Sequence, residues 1–275
     1  MQPHGHGGPA PKIALPKIKY VVAVASGKGG VGKSTVAANL ALALKQSGGR
    51  VGLMDADIYG PSVPIMMGIR EVVDQRTTVL PLERHGIKLM SMGFIVPATQ
   101  AVIWRGPMVH RAITQFLTDL DWGELDYLVI DLPPGTGDAQ LTLTQTAPLT
   151  GAVIVTTPQD VSLVDARKGL EMFRQVRVPV LGIVENMSYF VGDDGKRYDI
   201  FRHGGGKKLA DEAGVNFLGE VPIDPRVAEC GDAGEPIVVK HADSPAAKAY
   251  RELAKTVARE LENASPGLDL PELAL

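Results

Sequence analysis

Short apolar runs and amphipathic segments alternate along most of the chain. The apolar runs predict buried strands, and in chain order they are 20–25, 50–55, 86–93, 125–131, 151–158, 178–186 and 215–222. Between them, apolar residues recur at helical spacing, as Val109, Ile113 and Phe116 do. Strands that alternate with helices are typical of α/β proteins with a parallel sheet. We therefore predict a doubly wound, mostly parallel sheet with helices on both faces.

The polar segments set the predicted domain limits. Residues 1–16 are rich in proline, glycine and histidine and cannot bury apolar surface, so we expect a flexible tail. No linker-like stretch interrupts residues 17–263, which we assign to one domain, and residues 264–275 are assigned to a C-terminal tail. The last predicted helix, at about 245–263, has one apolar face, and its polar side mixes both charges. This pattern favours packing on the core over binding to a membrane surface.

The composition indicates in which cell compartment the protein works and which kinds of partner it lacks a reason to bind. The chain of 275 residues has a net charge of -3, which gives no general reason to bind nucleic acid or an anionic membrane. Its single cysteine, Cys230, excludes an intramolecular disulfide and suits a reducing compartment. No apolar run approaches membrane-spanning length, and residues 1–11 lack a secretory pattern. We expect a cytoplasmic protein without a membrane span.

A glycine-rich motif joins the first strand to the first helix. The backbone N–H groups of such a loop converge on phosphate groups, and the following helix points its N-terminus at them. In this position we expect Lys33 to reach the β- and γ-phosphates and the Ser34 hydroxyl to bind a magnesium ion. The motif therefore predicts an ATP-binding phosphate loop. Its residues are Gly27, Lys28, Gly29, Gly30, Val31, Gly32, Lys33, Ser34 and Thr35.

Three aspartates follow the ends of predicted strands. Asp55 and Asp57 come at the end of the second strand, and Asp131 ends a later buried strand, as in a Walker B motif. Open α/β sheets bind ligands at this edge. We assign Asp131 to hold the magnesium ion through water, Asp55 to support the water shell of that ion, and Asp57 to orient the attacking water. The loop 132–138, with two prolines and two glycines, is expected to sense the γ-phosphate and to move on hydrolysis.

Lys28, directly after the first glycine, gives the loop a second positive charge. Loops of this kind resemble the deviant Walker A class, which includes MinD, ParA, the nitrogenase iron protein and the Mrp/ApbC carriers of iron–sulfur clusters. In that class the extra lysine crosses a dimer interface to the partner's nucleotide. The resemblance therefore implies a homodimer bridged by ATP, with slow, magnesium-dependent hydrolysis in which Lys28 neutralises charge as the γ-phosphate leaves. The alternative is a solvated loop lysine.

Three segments narrow this resemblance to the Mrp/ApbC/Nbp-type family, over about residues 18–262. The segments are 104–108, 131–138 and 185–190. The family resemblance implies a role in the assembly or transfer of iron–sulfur clusters, with iron–sulfur apoproteins or assembly proteins as partners. It also implies that Asn186 recognises adenine, because one amide both donates and accepts. We further expect the turn that begins at Pro222 to close over the base.

The chain departs from this family where a cluster would bind. Family members that carry a cluster have a Cys-x-x-Cys pair just after the segment 185–190, and residues 191–195 contain none. A cluster usually takes four thiolates, and a homodimer of this chain supplies only Cys230 from each subunit. Cys230 is thus an uncertain cluster ligand. Two alternatives stay open, a positioning ATPase of the MinD/ParA type and a cluster-free scaffold ATPase in metallocluster maturation.

Overall fold

The computed structural model describes residues 13–58, 60–69, 80–94 and 106–264. Nine strands in these ranges form one sheet: β1 (Ile18–Ala25), β2 (Val51–Asp55), β3 (Leu82–Arg84), β4 (Ile87–Ser91), β5 (Leu125–Asp131), β6 (Gly151–Thr156), β7 (Val180–Val191), β8 (Arg197–Tyr198) and β9 (Phe217–Ile223). Neighbours follow the order β3-β4-β2-β5-β1-β6-β7-β8, and β9 pairs with β7. Only β3 and β8 pair antiparallel among the described strands. The predicted mostly parallel sheet is confirmed.

Helices cover both faces of this sheet. They are α1 (Lys33–Gln46), α2 (Val63–Met66), α3 (Gly106–Thr118), α4 (Asp138–Thr146), α5 (Asp160–Gln175), α6 (Gly205–Ala213), α7 (Pro225–Ala233), α8 (Ile237–Lys240) and α9 (Pro245–Ala264). On one face α1 packs against α8 and α9, and on the other α3 packs against α4 and α5 against α6. Within the described ranges, none of the helices is long and apolar enough to span a membrane.

Strand β1 shows why the core has two layers. Tyr20, Val22 and Val24 belong to the layer under α1 and α9, whereas Val21 and Ala23 belong to the layer under α3 to α6. Successive side chains of a strand point to opposite faces, and a central parallel strand is covered on both. Both sets must therefore be apolar, which explains the continuous apolar run in the sequence.

The register of the sheet brings the strand-end acids together. Strand β5 lies between β1 and β2, and the Cα atom of Asp131 is paired with both Val24 and Asp55. The phosphate loop follows β1 directly. The loop and the two aspartates therefore meet at the C-terminal edge of the sheet, where the topology of an open α/β sheet places ligand sites.

The structure corrects the predicted N-terminal boundary. Ile13 and Leu15 pack against the layer under α3 to α6, and the Ile13 N–H donates to the carbonyl oxygen of Thr146 at 3.4 Å. Residues 13–16 therefore belong to the packed domain rather than to a flexible tail. Residues 1–12 of that predicted tail, and 265–275 of the C-terminal one, lie outside the described residues.

Of the remaining elements, some agree with the prediction from the sequence pattern and others were not predicted. Helix α9 packs its apolar face in the core as predicted, with Tyr250, Leu253 and Val257 buried. Strand β3 and helices α2, α4, α7 and α8, in contrast, have no counterpart in the sequence-based prediction. Trp104 and Arg105 of the family-like segment lie outside the part of the chain that the structure describes.

Candidate nucleotide site

The phosphate loop connects β1 to α1 and leaves one side open. Gly30 and Gly32 have φ values of 81° and 80°, a left-handed conformation that strains residues with a Cβ. A Cβ on Gly29 or Gly30 would meet no atom within 4 Å, so this part of the loop offers room for phosphates. At Gly27, by contrast, a Cβ would lie 2.1 Å from the carbonyl carbon of Asp165 in α5. Close packing against α5 therefore requires glycine at that position.

Lys33, the first residue of α1, has a buried ammonium group that is only 6% exposed. Its Nζ lies 2.6 Å from Oδ1 of Asp131, 3.6 Å from Oδ2 of Asp57 and 3.2 Å from Oγ of Ser34. The structure thus brings together the lysine, the serine and two of the aspartates that the sequence predicts. The carboxylates compensate the buried positive charge, which would otherwise be costly.

Asp131 is fully buried, and only one of its two oxygens has a hydrogen-bond partner in the described part of the chain. Oδ1 accepts from Lys33, but Oδ2 has no hydrogen-bond partner among the described residues. Burial raises the pKa of Asp131, and Lys33 and Ser34 partly offset that rise. An unpartnered buried oxygen is unfavourable, and magnesium prefers such hard oxygen donors. Asp131 and Ser34 therefore fit a hydrated magnesium ion.

Asp55 is also fully buried, but both of its oxygens have partners. Oδ1 accepts the Asp57 N–H at 3.1 Å, while Oδ2 accepts the Val63 N–H at 3.3 Å and the Ser91 hydroxyl at 3.0 Å. Burial, and next the nearby Asp131, raise the pKa of Asp55 to about 8. Asp55 therefore holds the segment that follows β2 in contact with strand β4. Its support of a magnesium water shell stays a prediction, as does the orientation of water by Asp57.

The loop after Asp131 contacts the phosphate loop directly. The Gly135 N–H donates to the carbonyl oxygen of Ser26 at 3.0 Å, and Gly135 has a φ of 93°. Helix α4 begins at Asp138 and carries Gln140, which is 1% exposed. Neither amide atom of Gln140 has a hydrogen-bond partner within the described ranges. Gln140 could not be singled out from the sequence, because an isolated glutamine belongs to no motif.

The two residues assigned to the base lie on the neighbouring strands β7 and β9, where Asn186 is paired with Val221. Asn186 lies within β7, and its Nδ2 donates to the carbonyl oxygen of Val31 in the phosphate loop at 2.8 Å. Pro222 lies within β9 rather than in a turn, because the strand continues to Ile223 and Asp224 caps α7. Pro222 lines a cleft of about 330 Å³ together with Phe190. Adenine recognition by Asn186 and closure by Pro222 stay predictions.

Lys28 and Thr35 occupy the two ends of the loop. Lys28 is half-buried, and its carbonyl oxygen accepts the Ser26 hydroxyl at 2.8 Å. Thr35 lies in the first turn of α1, and its carbonyl oxygen accepts from Nδ2 of Asn39 at 2.9 Å. The backbone contacts hold the loop in shape, while the charge of Lys28 is not needed for that purpose.

Cys230, the uncertain cluster ligand, lies in α7. The residue is 2% exposed within the core layer under α1 and α9. Burial raises the pKa of the Cys230 thiol. Iron–sulfur clusters are held by deprotonated thiolates. Binding of a cluster by Cys230 therefore requires that its thiol be uncovered and lose its proton.

A strand, a glycine-rich loop and a helix, with a buried lysine facing strand-end aspartates, define a P-loop nucleotide-binding protein. The profile of the family described as "ParA: NUBPL iron-transfer P-loop NTPase" matches residues 17–258. The chain belongs to this family.

Named relatives agree with that assignment. An iron–sulfur cluster carrier protein of Aquifex aeolicus is 54% identical over 254 residues, covering 90% of this chain and 70% of the relative. An iron–sulfur cluster carrier protein of Deinococcus radiodurans is 56% identical over 256 residues, covering 92% of this chain and 73% of the relative. Among solved structures, a nucleotide-binding protein of Archaeoglobus fulgidus in complex with ADP is 40% identical, has a TM-score of 0.71, and is matched over 85% of this chain and 93% of that one.

Proposed function

We propose that this chain is a magnesium-dependent ATPase that acts as a nucleotide-bridged homodimer in the assembly or transfer of iron–sulfur clusters. The observation that carries the proposal is the family match over residues 17–258, which includes the whole phosphate loop and all three aspartates. Relatives more than half identical are named iron–sulfur cluster carrier proteins. The relative from Archaeoglobus fulgidus, in complex with ADP, supports the binding of an adenine nucleotide.

The contacts of Lys33 suggest how the site changes on binding. Lys33 now neutralises Asp131 across 2.6 Å, and we infer that it exchanges this carboxylate for the β- and γ-phosphates of ATP. Magnesium, when bound, supplies the positive charge that Asp131 and the phosphates then share. Asp57, next to Lys33, orients the attacking water, and Lys28 of each subunit reaches the nucleotide of the other.

An assay of ATP hydrolysis tests the proposed ATPase activity. We expect slow release of phosphate that requires magnesium, measured at steady state with purified protein. Asp131→Asn should lower the rate by about 100-fold or more, because it removes a charge that positions the metal and the phosphates. Glu171→Gln, an exposed change on α5 away from the loop, is the matched control. A wild-type protein that turns over no ATP, or an Asp131→Asn variant with full activity, would contradict this part.

Anaerobic reconstitution tests the role in cluster transfer. Protein incubated with iron and sulfide, then desalted, should retain both elements and pass a cluster to an iron–sulfur apoprotein in an ATP-dependent manner. Iron and sulfide analysis and the absorption spectrum of the acceptor report the two steps. Protein that retains neither element and transfers no cluster would exclude direct carriage by this chain alone.

A second candidate function is that of a cluster-free scaffold that works with a cysteine-bearing partner. The burial of Cys230 and the absence of cysteine from residues 191–195 favour it. Reconstitution of wild type and Cys230→Ser separates the two functions. Iron retained by the wild type and lost in the variant supports carriage, whereas iron retained only when a thiolate-bearing protein is added supports the scaffold.

The positioning function considered from the sequence has less support. A membrane-seeking C-terminal helix needs a free apolar face, and the apolar face of α9 is buried against α1 and β9. ATP-dependent sedimentation with anionic liposomes or DNA would be the observation in favour of that function.

A further inference from the structure

Strand β7 contains a residue in an unusual backbone conformation, next to the phosphate loop. Met187 has a φ of 54°, in the left-handed region, although it carries a Cβ. Such a conformation is strained for a residue other than glycine, and the surrounding contacts must maintain it. Contacts on both sides of Met187 hold this conformation in place.

On one side, Met187 and its neighbour press against the phosphate loop. Asn186 donates to the carbonyl oxygen of Val31 at 2.8 Å. A Cβ on Gly32 would lie 2.3 Å from Nδ2 of Asn186 and 3.5 Å from Cε of Met187, so both side chains lie next to Gly32 and Asn186 leaves no room for a larger residue there. A shift of the loop at Gly32 toward β7 therefore displaces residues 186 and 187.

At Met187 the strand also leaves its regular pairing. Asn186 pairs with Val221 of β9 and the next pair is Phe190 with Ile223, so the register shifts between them. Ser188, which is fully buried, donates to Oε1 of Glu185 at 2.6 Å and closes the bulge. Bulges of this kind re-aim a strand and are frequent next to functional sites.

On the other side, the bulge leads into the β7–β8 hairpin. The guanidinium of Arg197 in β8 lies 3.8 Å from the ring centroid of Tyr189. Arg197 also donates to Oε2 of Glu220 at 3.0 Å and to Nδ1 of His203 at 2.6 Å. Tyr189 is thus fixed to the hairpin, just as Asn186 is fixed to the phosphate loop. Three residues, 187–189, separate Asn186 from the hairpin strand pair that begins at Phe190.

We propose that Met187 couples the phosphate loop to the β7–β8 hairpin, so that the hairpin changes when a nucleoside triphosphate occupies the loop. Binding of the phosphates reorients the loop peptides at Gly32, Asn186 follows because it is hydrogen-bonded to Val31, and Met187 follows as the next residue of the strand. The strained φ of Met187 makes a second backbone arrangement accessible, and Tyr189 and Arg197 transmit it. The proposal rests on the proposed function only in taking ATP as the loop's ligand.

Hydrogen exchange of the full chain tests the coupling. Amides of residues 189–198 are compared with and without the magnesium complex of a non-hydrolysable ATP analogue, whose binding is measured separately by calorimetry. We expect exchange in the wild-type hairpin to change by about five-fold or more, the lower range of a typical coupling between sites. In Met187→Gly, which relieves the strain and removes the side chain next to Gly32, the analogue should still bind while the hairpin response disappears.

Arg177→Gly is the matched control. Arg177 has a similar φ of 56°, in the turn between α5 and β7, so this change relieves the same type of backbone at the other end of the strand. It should leave the hairpin response intact. Met187→Asn, which tolerates left-handed backbone but cannot reach Gly32, replaces Met187→Gly should that variant fail to fold.

The outcomes separate the coupling from the proposed function. An analogue that binds without changing hairpin exchange in the wild type refutes the coupling alone. A Met187 variant whose hairpin exchange responds like that of the wild type also refutes the coupling. If Arg177→Gly loses the hairpin response to the same extent, the effect comes from introducing glycine, and the role of Met187 is overturned. An analogue that does not bind at all refutes the proposed ATPase, and the coupling with it.

Discussion

Removal of the Lys33 ammonium should destabilise the free protein strongly. In Lys33→Ala the fully buried Asp131 carboxylate loses a partner at 2.6 Å, and both groups of this pair are shielded from water. Removing one partner of a buried ion pair costs about 3–5 kcal/mol. That is a large part of the roughly 5–15 kcal/mol that stabilises a typical protein. We therefore expect the free energy of unfolding in urea, followed by circular dichroism at pH 8, to fall by about 3 kcal/mol.

The loss of stability in Lys33→Ala should depend on pH, and the pKa of Asp131 determines the direction of that dependence. Burial raises the pKa of Asp131 and Lys33 holds it down, so the variant carries a still higher pKa. A carboxyl group whose pKa is higher in the folded state binds more protons there, and stability then falls as pH rises. The deficit of Lys33→Ala should accordingly shrink between pH 8 and pH 5 as Asp131 gains a proton.

Two further variants decide whether this reasoning is right. Adding Asp131→Asn to Lys33→Ala removes the uncompensated charge and should restore most of the stability at pH 8. Arg50→Ala breaks an exposed ion pair with Glu124 and Asp126 and should have a much smaller effect. A Lys33→Ala protein as stable as the wild type at pH 8, or a deficit that is the same at pH 5, would refute the argument.

Three other predictions address single residues of the site. Lys28→Ala should leave the dissociation constant for ATP unchanged by calorimetry but lower hydrolysis by about 1,000-fold, as loss of an arginine finger does, and unchanged turnover would remove the cross-dimer role. Burial raises the pKa of Asp55 to about 8, so its contribution to stability is full at low pH and is lost as pH rises toward 8. Asp55→Asn should therefore flatten the stability profile between pH 5 and pH 8 in urea titrations, and an unchanged slope would contradict that pKa. Gln140→Leu should raise the free energy of unfolding by about 1–3 kcal/mol, because both atoms of the buried amide lack partners within the described residues, and a loss of stability would show that the amide is satisfied.

The phosphate loop could be predicted from the sequence because its geometry depends on local residues. Glycines at fixed spacing, a preceding apolar run and a following helical pattern are all local features of the sequence, although the folded loop also packs against α5 at Gly27. Asp131 was equally predictable, since it ends a continuous apolar run. The Asp55 and Asp131 pairing follows from strand order, which the sequence only suggests.

The missed helices had different causes. Helix α4 is rich in threonine, a β-branched residue with low helix propensity, so its formation depends on packing against α3. Helix α7 had local signals, with Asp224 as N-cap, Pro225 in the first turn and Gly234 beyond the C-terminus. The burial of Cys230 in this helix could therefore have been predicted from the sequence. The conformation of Met187 could not, because it results from contacts with the phosphate loop and the hairpin.

The adjacent acids explain why the phosphate loop keeps its lysine turned inward in the free protein. Asp55 and Asp131 are register partners on neighbouring strands, both fully buried, and two such carboxylates cannot both ionise without a cation close by. Lys33 provides that cation, and the raised pKa of Asp55 allows the second carboxyl to stay neutral near pH 7. A ligand that draws Lys33 away must therefore bring another positive charge to Asp131. A nucleoside triphosphate with its divalent cation satisfies this requirement, whereas the triphosphate alone does not.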